Sequence, residues 1–261
     1  SGFRDRSYCR IVKRVYPVIY LLTVCPLLLF FMAYVIMDLK KDGGRTTCRE
    51  NLRNYGDSLR GYHDFYNALP MQVNLGEGVR HPYSWRVAIL PGGNYALPDA
   101  AGVLPGGYRT DQPWDGPDNL KLADKVGGYY HCPADPSSIH DTSYIAVVGQ
   151  NTSFPPRVAV KFDGFDGKLS NSILIVETHN SGIHWMEPRD WSIEEAIKGV
   201  NSHGKRFLDG RHVSLFSSRN PQALFADGSI REINPNIDPK ILRSLLEINN
   251  PDKPKEPFIS P

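Results

Sequence analysis

An uncharged, predominantly apolar run extends over 23 residues from Val15 to Met37, VYPVIYLLTVCPLLLFFMAYVIM, with basic residues on both sides. At about 1.5 Å rise per residue, a helix of this length crosses a hydrocarbon core of roughly 30 Å, so the pattern predicts a transmembrane helix. Pro17 falls in its first turn, where a missing N–H is harmless, whereas Pro26 removes one internal hydrogen bond and predicts a kink. Gly43-Gly44 then predicts a helix break, with Thr47 as the N-cap of a second helix and Glu50 as its capping-box partner. Along that second helix Leu52, Tyr55, Leu59, Tyr62 and Tyr66 recur every three or four residues. This apolar stripe needs a sheet to pack on, and the helix ends before Pro70.

Residues 71–128 are punctuated by Gly and Pro pairs and read as loop-rich, with 83–90 as a strand or short helix and 118–125 as a short helix. Beyond Cys132 the β-branched and aromatic runs at 144–148, 173–177 and 213–216 predict strands, and 222–233 a hairpin turning at Asp227-Gly228. Ser192 with Glu195 opens a helix reaching about Val200, and Asp238 caps a last one through Ile248. The fold class is therefore α+β. It comprises a basic segment 1–14, a transmembrane helix 15–37, a loop-rich outer domain 38–249 and an extended tail 250–261.

Charge orients this arrangement. Five basic residues and one acid precede the apolar run, and Lys40, Lys41, Arg45 and Arg49 follow it, which favours a cytoplasmic N-terminus and a domain outside the cytoplasm at the cell membrane. The first fourteen residues carry +4 of a chain total of +2, so the remainder is about −2 and excludes a nucleic-acid footprint. Cys9 precedes the anchor and Cys25 lies within it, leaving Cys48 and Cys132 in the outer domain. An even pair in an oxidising compartment is expected to form a disulfide, two buried free thiols being the alternative.

Several stretches carry a resemblance. CRENLRNYG from Cys48, with Asn51 and Leu52, is followed by Tyr62-His63-Asp64-Phe65-Tyr66 and Leu69-Pro70. Next come Ser84-Trp85-Arg86-Val87, Tyr130-His131-Cys132-Pro133, Met186-Glu187-Pro188-Arg189-Asp190 and Leu224-Phe225-Ala226-Asp227-Gly228-Ser229. In order and spacing these resemble the DUF1559 family, pilin-like proteins with an H-X9-DG motif that abound in planctomycete bacteria. The resemblance implies a pilin-like ectodomain, a helix laid on an antiparallel sheet. Two departures stand out. Arg4 follows Gly2-Phe3 where the family carries a prepilin leader and a Glu, and Ser217 occupies the motif His position, with His212 as the one nearby substitute.

Candidate chemistry is sparse. His179, His184, Glu187 and Asp190 are close in sequence but match no metal-ligand spacing, and HNSGIHWMEPRD reads as a turn-rich surface loop. Asp163 and Asp166 flank a Gly-rich turn whose oxygens suit Ca²⁺ less well than they suit a plain turn. No nucleophile elbow or phosphate loop is present, so no cofactor and no enzymatic activity are expected. The expectation is a non-enzymatic single-pass subunit of a membrane assembly, with other membrane proteins as partners or with itself. A pseudopilin or filament subunit is the alternative. A solute- or glycan-binding module resting on Trp85, Trp114, Trp185 and Trp191 is a further one.

Overall fold

A computed structural model describes the backbone over residues 3–74, 79–90, 103–104, 106–133, 135, 137–165, 168–200, 221–234 and 237–254, with side chains over the same residues except 3–24, 35–43, 127 and 199–200. The predicted strand 213–216, His212 and Ser217 lie outside the described residues, as do the side chains of Val15 and Met37. The chain divides into two compact units, Ser1–Gly44 and Arg45–Pro261.

Helix α1, Phe3–Tyr66, is continuous and corrects the expected break at Gly43-Gly44. Two glycines cost a helix about 2 kcal/mol together, whereas a break would leave four N–H and four C=O groups unpaired and require a second nucleation. With helical backbone on both sides, Thr47 is not an N-cap, and Glu50 instead accepts a hydrogen bond from Arg53 Nη1 at 2.8 Å. In the first unit every described side chain, 25–34, is exposed, Pro26 among them. Among the described residues no helix is long and apolar enough to cross a membrane.

The second unit is built on a five-stranded sheet in the order β5-β3-β4-β6-β7. Strands β3 (Tyr144–Val148), β4 (Ile173–Glu177), β6 (Gln222–Phe225) and β7 (Ile230–Glu232) pair antiparallel, and β5 (Trp191–Ser192) adds in parallel to β3, so the sheet is mixed where an antiparallel one was expected. One face carries Tyr144, Ala146, Leu174 and Leu224 and packs against Leu52, Tyr55 and Leu59 of the predicted stripe, all three with 0 % exposure. A Cβ on Gly56 would meet Leu224 Cδ1 at 3.1 Å, which is how closely α1 approaches the sheet. The other face, Ile145, Val147, Ile173, Val176, Ala223 and Phe225, is covered by helices α5 (Ile193–Val200) and α6 (Pro239–Leu246). The unit is thus layered helix, sheet, helix. Each outer helix starts as its sequence dictates. Ser192 N donates to Glu195 Oε2 and Glu195 N to Ser192 Oγ in a capping box, and Asp238 Oδ1 accepts from Lys240 N.

The loop-rich stretch holds short elements: β1 (Val73–Asn74) paired with β2 (Tyr83–Ser84), then α2 (Trp85–Ala88), α3 (Pro117–Leu120) and α4 (Ala123–Tyr130). Residues 83–90 are therefore strand and helix in succession. The start of the expected extended tail is docked. Lys253 is 8 % exposed and its ammonium donates to Asn171 O and Ser172 Oγ, both at 2.6 Å, while Asn171 Nδ2 donates to Pro254 O. Lys253 is thus held by two acceptors and shielded from water, and burial lowers its pKa to about 8, whereas 255–261 lie outside the described residues.

Candidate functional site

Ser84 is the N-cap of α2, its Oγ accepting from Arg86 N, and this turn drives the Arg86 side chain inward until it is fully buried. A buried guanidinium needs partners for its N–H groups, and four hydrogen bonds supply them. Nη1 donates to Asp190 Oδ1 at 2.7 Å, Nε to Trp185 O at 2.9 Å, and Nη2 to Glu187 O and Arg189 O at 2.9 and 2.8 Å. The Asp190 carboxylate, also fully buried, accepts from Trp85 Nε1 at 3.1 Å and from Ala146 N of β3 at 2.9 Å. Burial pushes the Asp190 carboxyl up while the Arg86 charge and the hydrogen bonds pull it back. Around the pair Tyr130 stacks between Tyr55 and Trp185, with its hydroxyl on Arg86 O.

This knot corrects the reading of HNSGIHWMEPRD as a surface loop: Trp185 and Met186 have 0 % exposure, and the carbonyls of Trp185, Glu187 and Arg189 wrap the guanidinium. It also joins two motif stretches a hundred residues apart, Ser84-Trp85-Arg86-Val87 and Glu187-Pro188-Arg189-Asp190. Ile183, Trp185 and Met186, all with 0 % exposure, were the signal of burial inside this polar stretch. Both charges are fully buried and hydrogen-bonded, so the arrangement fastens the backbone of three segments together. Glu187 lies against Arg189, 2.6 Å from its Nε, and Pro188 O accepts from Gln72. His184 Nδ1 accepts from Met186 N and burial lowers its pKa to about 4. His184, Glu187 and Asp190 thus turn to separate partners, and the buried Nδ1 of His179 has no hydrogen-bond partner among the described residues.

A second constellation lies where α1 meets β3 and β4. Cys48 and Cys132 form the expected disulfide, with Cα atoms 5.2 Å apart and a sequence separation of 84. Asn51 Nδ2 donates to Tyr144 Oη, which lies 3.4 Å from Cys48 O. Glu177, at the end of β4, places Oε1 3.4 Å from Cys132 Sγ and accepts from Gln222 N at Oε2. Burial raises its pKa to about 7, against a hydrogen bond and the charge of Arg45, which lower it. Beside it the Asp135 carboxylate accepts from Ser143 Oγ, Ser137 N and Asn180 N. Sequence reading singled out the cysteines and passed over Glu177, whose strand position gave it no distinguishing pattern.

The remaining motif residues are dispersed. His63 Nε2 accepts from Phe162 N, and Asp64 beside it is exposed. Pro133 is exposed. Asp227 closes the β6–β7 turn through Ser229 N, Ser229 Oγ and Arg231, and Gly228 takes a φ of 84° there, a conformation glycine adopts without strain. That turn borders a cleft of 180 Å³ lined on the α1 side by Arg53, Gly56, Asp57 and Arg60. Asp163 sits in a 3₁₀ turn over Phe162–Phe165, and Asp166 lies outside the described residues.

No curated protein and no solved structure matches the chain. A family model does, over residues 44–164, the part that carries α1's sheet-packing end, the Trp85-Arg86 turn and both disulfide cysteines. Residues 44–164 match the model of the family described as "Protein of unknown function (DUF1559)".

Proposed function

We propose that the chain is a non-enzymatic, single-pass membrane subunit whose pilin-like outer domain serves a lateral assembly in the membrane. The observation that carries this reading is the first unit. Leu27, Leu28, Leu29, Phe30, Phe31, Met32 and Tyr34 are helical and 54 to 76 % exposed, an apolar surface on all sides that only lipid or other apolar helices can cover. They are the middle of the uncharged run 15–37, whose length suits a bilayer. The disulfide supports an oxidising compartment for the second unit. A single helix shared by anchor and domain, with its end laid on a sheet, supports the pilin-like description. Retention in the membrane, rather than filament growth, is supported by Arg4, Arg6, Arg10, Lys13 and Arg14, each costly to draw through lipid.

Protease added to intact spheroplasts is expected to digest the outer domain and spare the anchor. Survival of the domain until lysis refutes the orientation. Extraction in mild detergent is expected to yield a stoichiometric complex, whereas long homopolymeric fibres would favour the filament alternative and a ligand-loaded monomer the binding module.

A further inference from the structure

The disulfide has a third neighbour that the cross-link does not use. The sulfurs of Cys48 and Cys132 and a carboxylate oxygen of Glu177 lie within 4.8 Å of one another, and all three residues are buried. They are set by three different rigid elements. Cys48 sits within α1, Cys132 follows α4 with its N–H fixed on Ser143 Oγ at 2.8 Å, and Glu177 ends β4. Gln222 N holds Oε2 at 3.0 Å, which leaves Oε1 turned to the sulfur at 3.4 Å. We propose that reduction of Cys48–Cys132 converts this group into a site for a thiophilic divalent cation of the zinc class.

The geometry fits before any movement of the carboxylate. Ligands about 2.3 Å (sulfur) and about 2.1 Å (oxygen) from a tetrahedral Zn²⁺ stand roughly 3.6 Å apart, close to the observed contact. Two sulfurs on the same ion stand about 3.8 Å apart, so the separated thiolates need only relax from bonding distance. Two thiolates with a carboxylate select Zn²⁺ over Mg²⁺ or Ca²⁺, and three protein ligands leave one coordination position to solvent. The Gln222 and Ser143 hydrogen bonds are the outer support that such ligands require. The reduced group is two thiols and a carboxyl buried together, and a divalent cation that displaces their protons neutralises the anions it creates, so the same residues suit a cross-link when oxidised and a metal when reduced. In vitro the reductant is a trialkylphosphine. One phosphine and one water become the phosphine oxide, the S–S bond breaks, and each sulfur takes a proton that the cation then displaces.

The test titrates the full-length protein in detergent with Co²⁺, a spectroscopic substitute for Zn²⁺, before and after reduction. The reduced chain is expected to bind one Co²⁺ with tetrahedral ligand-field and sulfur charge-transfer bands, displaced by Zn²⁺, and the oxidised chain none. Glu177→Gln should weaken binding at least tenfold, and the double variant Cys48→Ser/Cys132→Ser should abolish it. If the reduced chain loses its near-ultraviolet circular dichroism, recovery of that signal on adding Zn²⁺ is the expected result. A reduced chain that takes up no more Co²⁺ than the double serine variant, or stays unfolded with Zn²⁺, overturns the proposal, as does Glu177→Gln binding as tightly as the native chain.

Discussion

Removing either partner of Arg86 and Asp190 strands the other charge in a fully buried site, which is why their pairing matters more than their net attraction. Asp190→Ala is expected to cost about 3–5 kcal/mol in urea unfolding, and pairing it with Arg86→Met should cost less than the sum of the two single changes. Glu177 gives the opposite lesson, since its carboxyl pKa is raised from 4.5 to about 7 chiefly by burial. A raised carboxyl binds its proton more tightly folded than unfolded. Its contribution is therefore complete below pH 4.5 and is lost as pH rises through 7, an effect on the order of 3 kcal/mol. Glu177→Gln should flatten that part of the pH profile and be the more stable form at pH 8, as read by thermal unfolding. Sequence alone made the cysteine pair legible, because its compartment and number left one partner for each. It left the Arg86–Asp190 pair illegible, because charged side chains are by default exposed and nothing local marks the pair that is not.

Among elements, α1 is fixed to the sheet by its lack of a side chain at Gly56. Gly56→Val would push a branched side chain into Leu224, already 3.1 Å from the Cβ position, and is expected to destabilise the second unit by about 1–3 kcal/mol in spite of glycine's poor helix propensity. The C-terminal strap is a second fastening. Deleting residues 250–261 removes the two Lys253 hydrogen bonds and the Pro254 contact, and a loss of about 1–3 kcal/mol is expected, with unfolding still cooperative. Strands β3 and β4, the hairpin turn at Asp227-Gly228 and the caps at Ser192 and Asp238 were all legible, because each is dictated by its own residues. Continuity through Gly43-Gly44 was not. A local glycine signal competes there with the hydrogen bonds of helix on both sides, and no window of sequence weighs one against the other. The parallel pairing of β5 with β3 was equally hidden, since a two-residue strand has no periodicity to read.

At the level of the molecule, the two units divide at Gly44, and their surfaces differ in kind. The second closes its own core on both faces of the sheet, so residues 45–261 alone are expected to be monodisperse without detergent and to keep the Cys48–Cys132 bond. The full chain should require detergent; equal behaviour of the two in size-exclusion chromatography would remove the membrane reading. The disulfide has one more effect at this scale. It makes the stretch between Cys48 and Cys132 a closed covalent ring that includes α2, α3 and α4. A peptidase that cuts once within the ring opens it without dividing the molecule, and the two pieces part only on reduction. Shedding the domain by a single cut therefore demands a cut outside the ring, and a nick inside it leaves the carboxyl-terminal body tethered to helix α1.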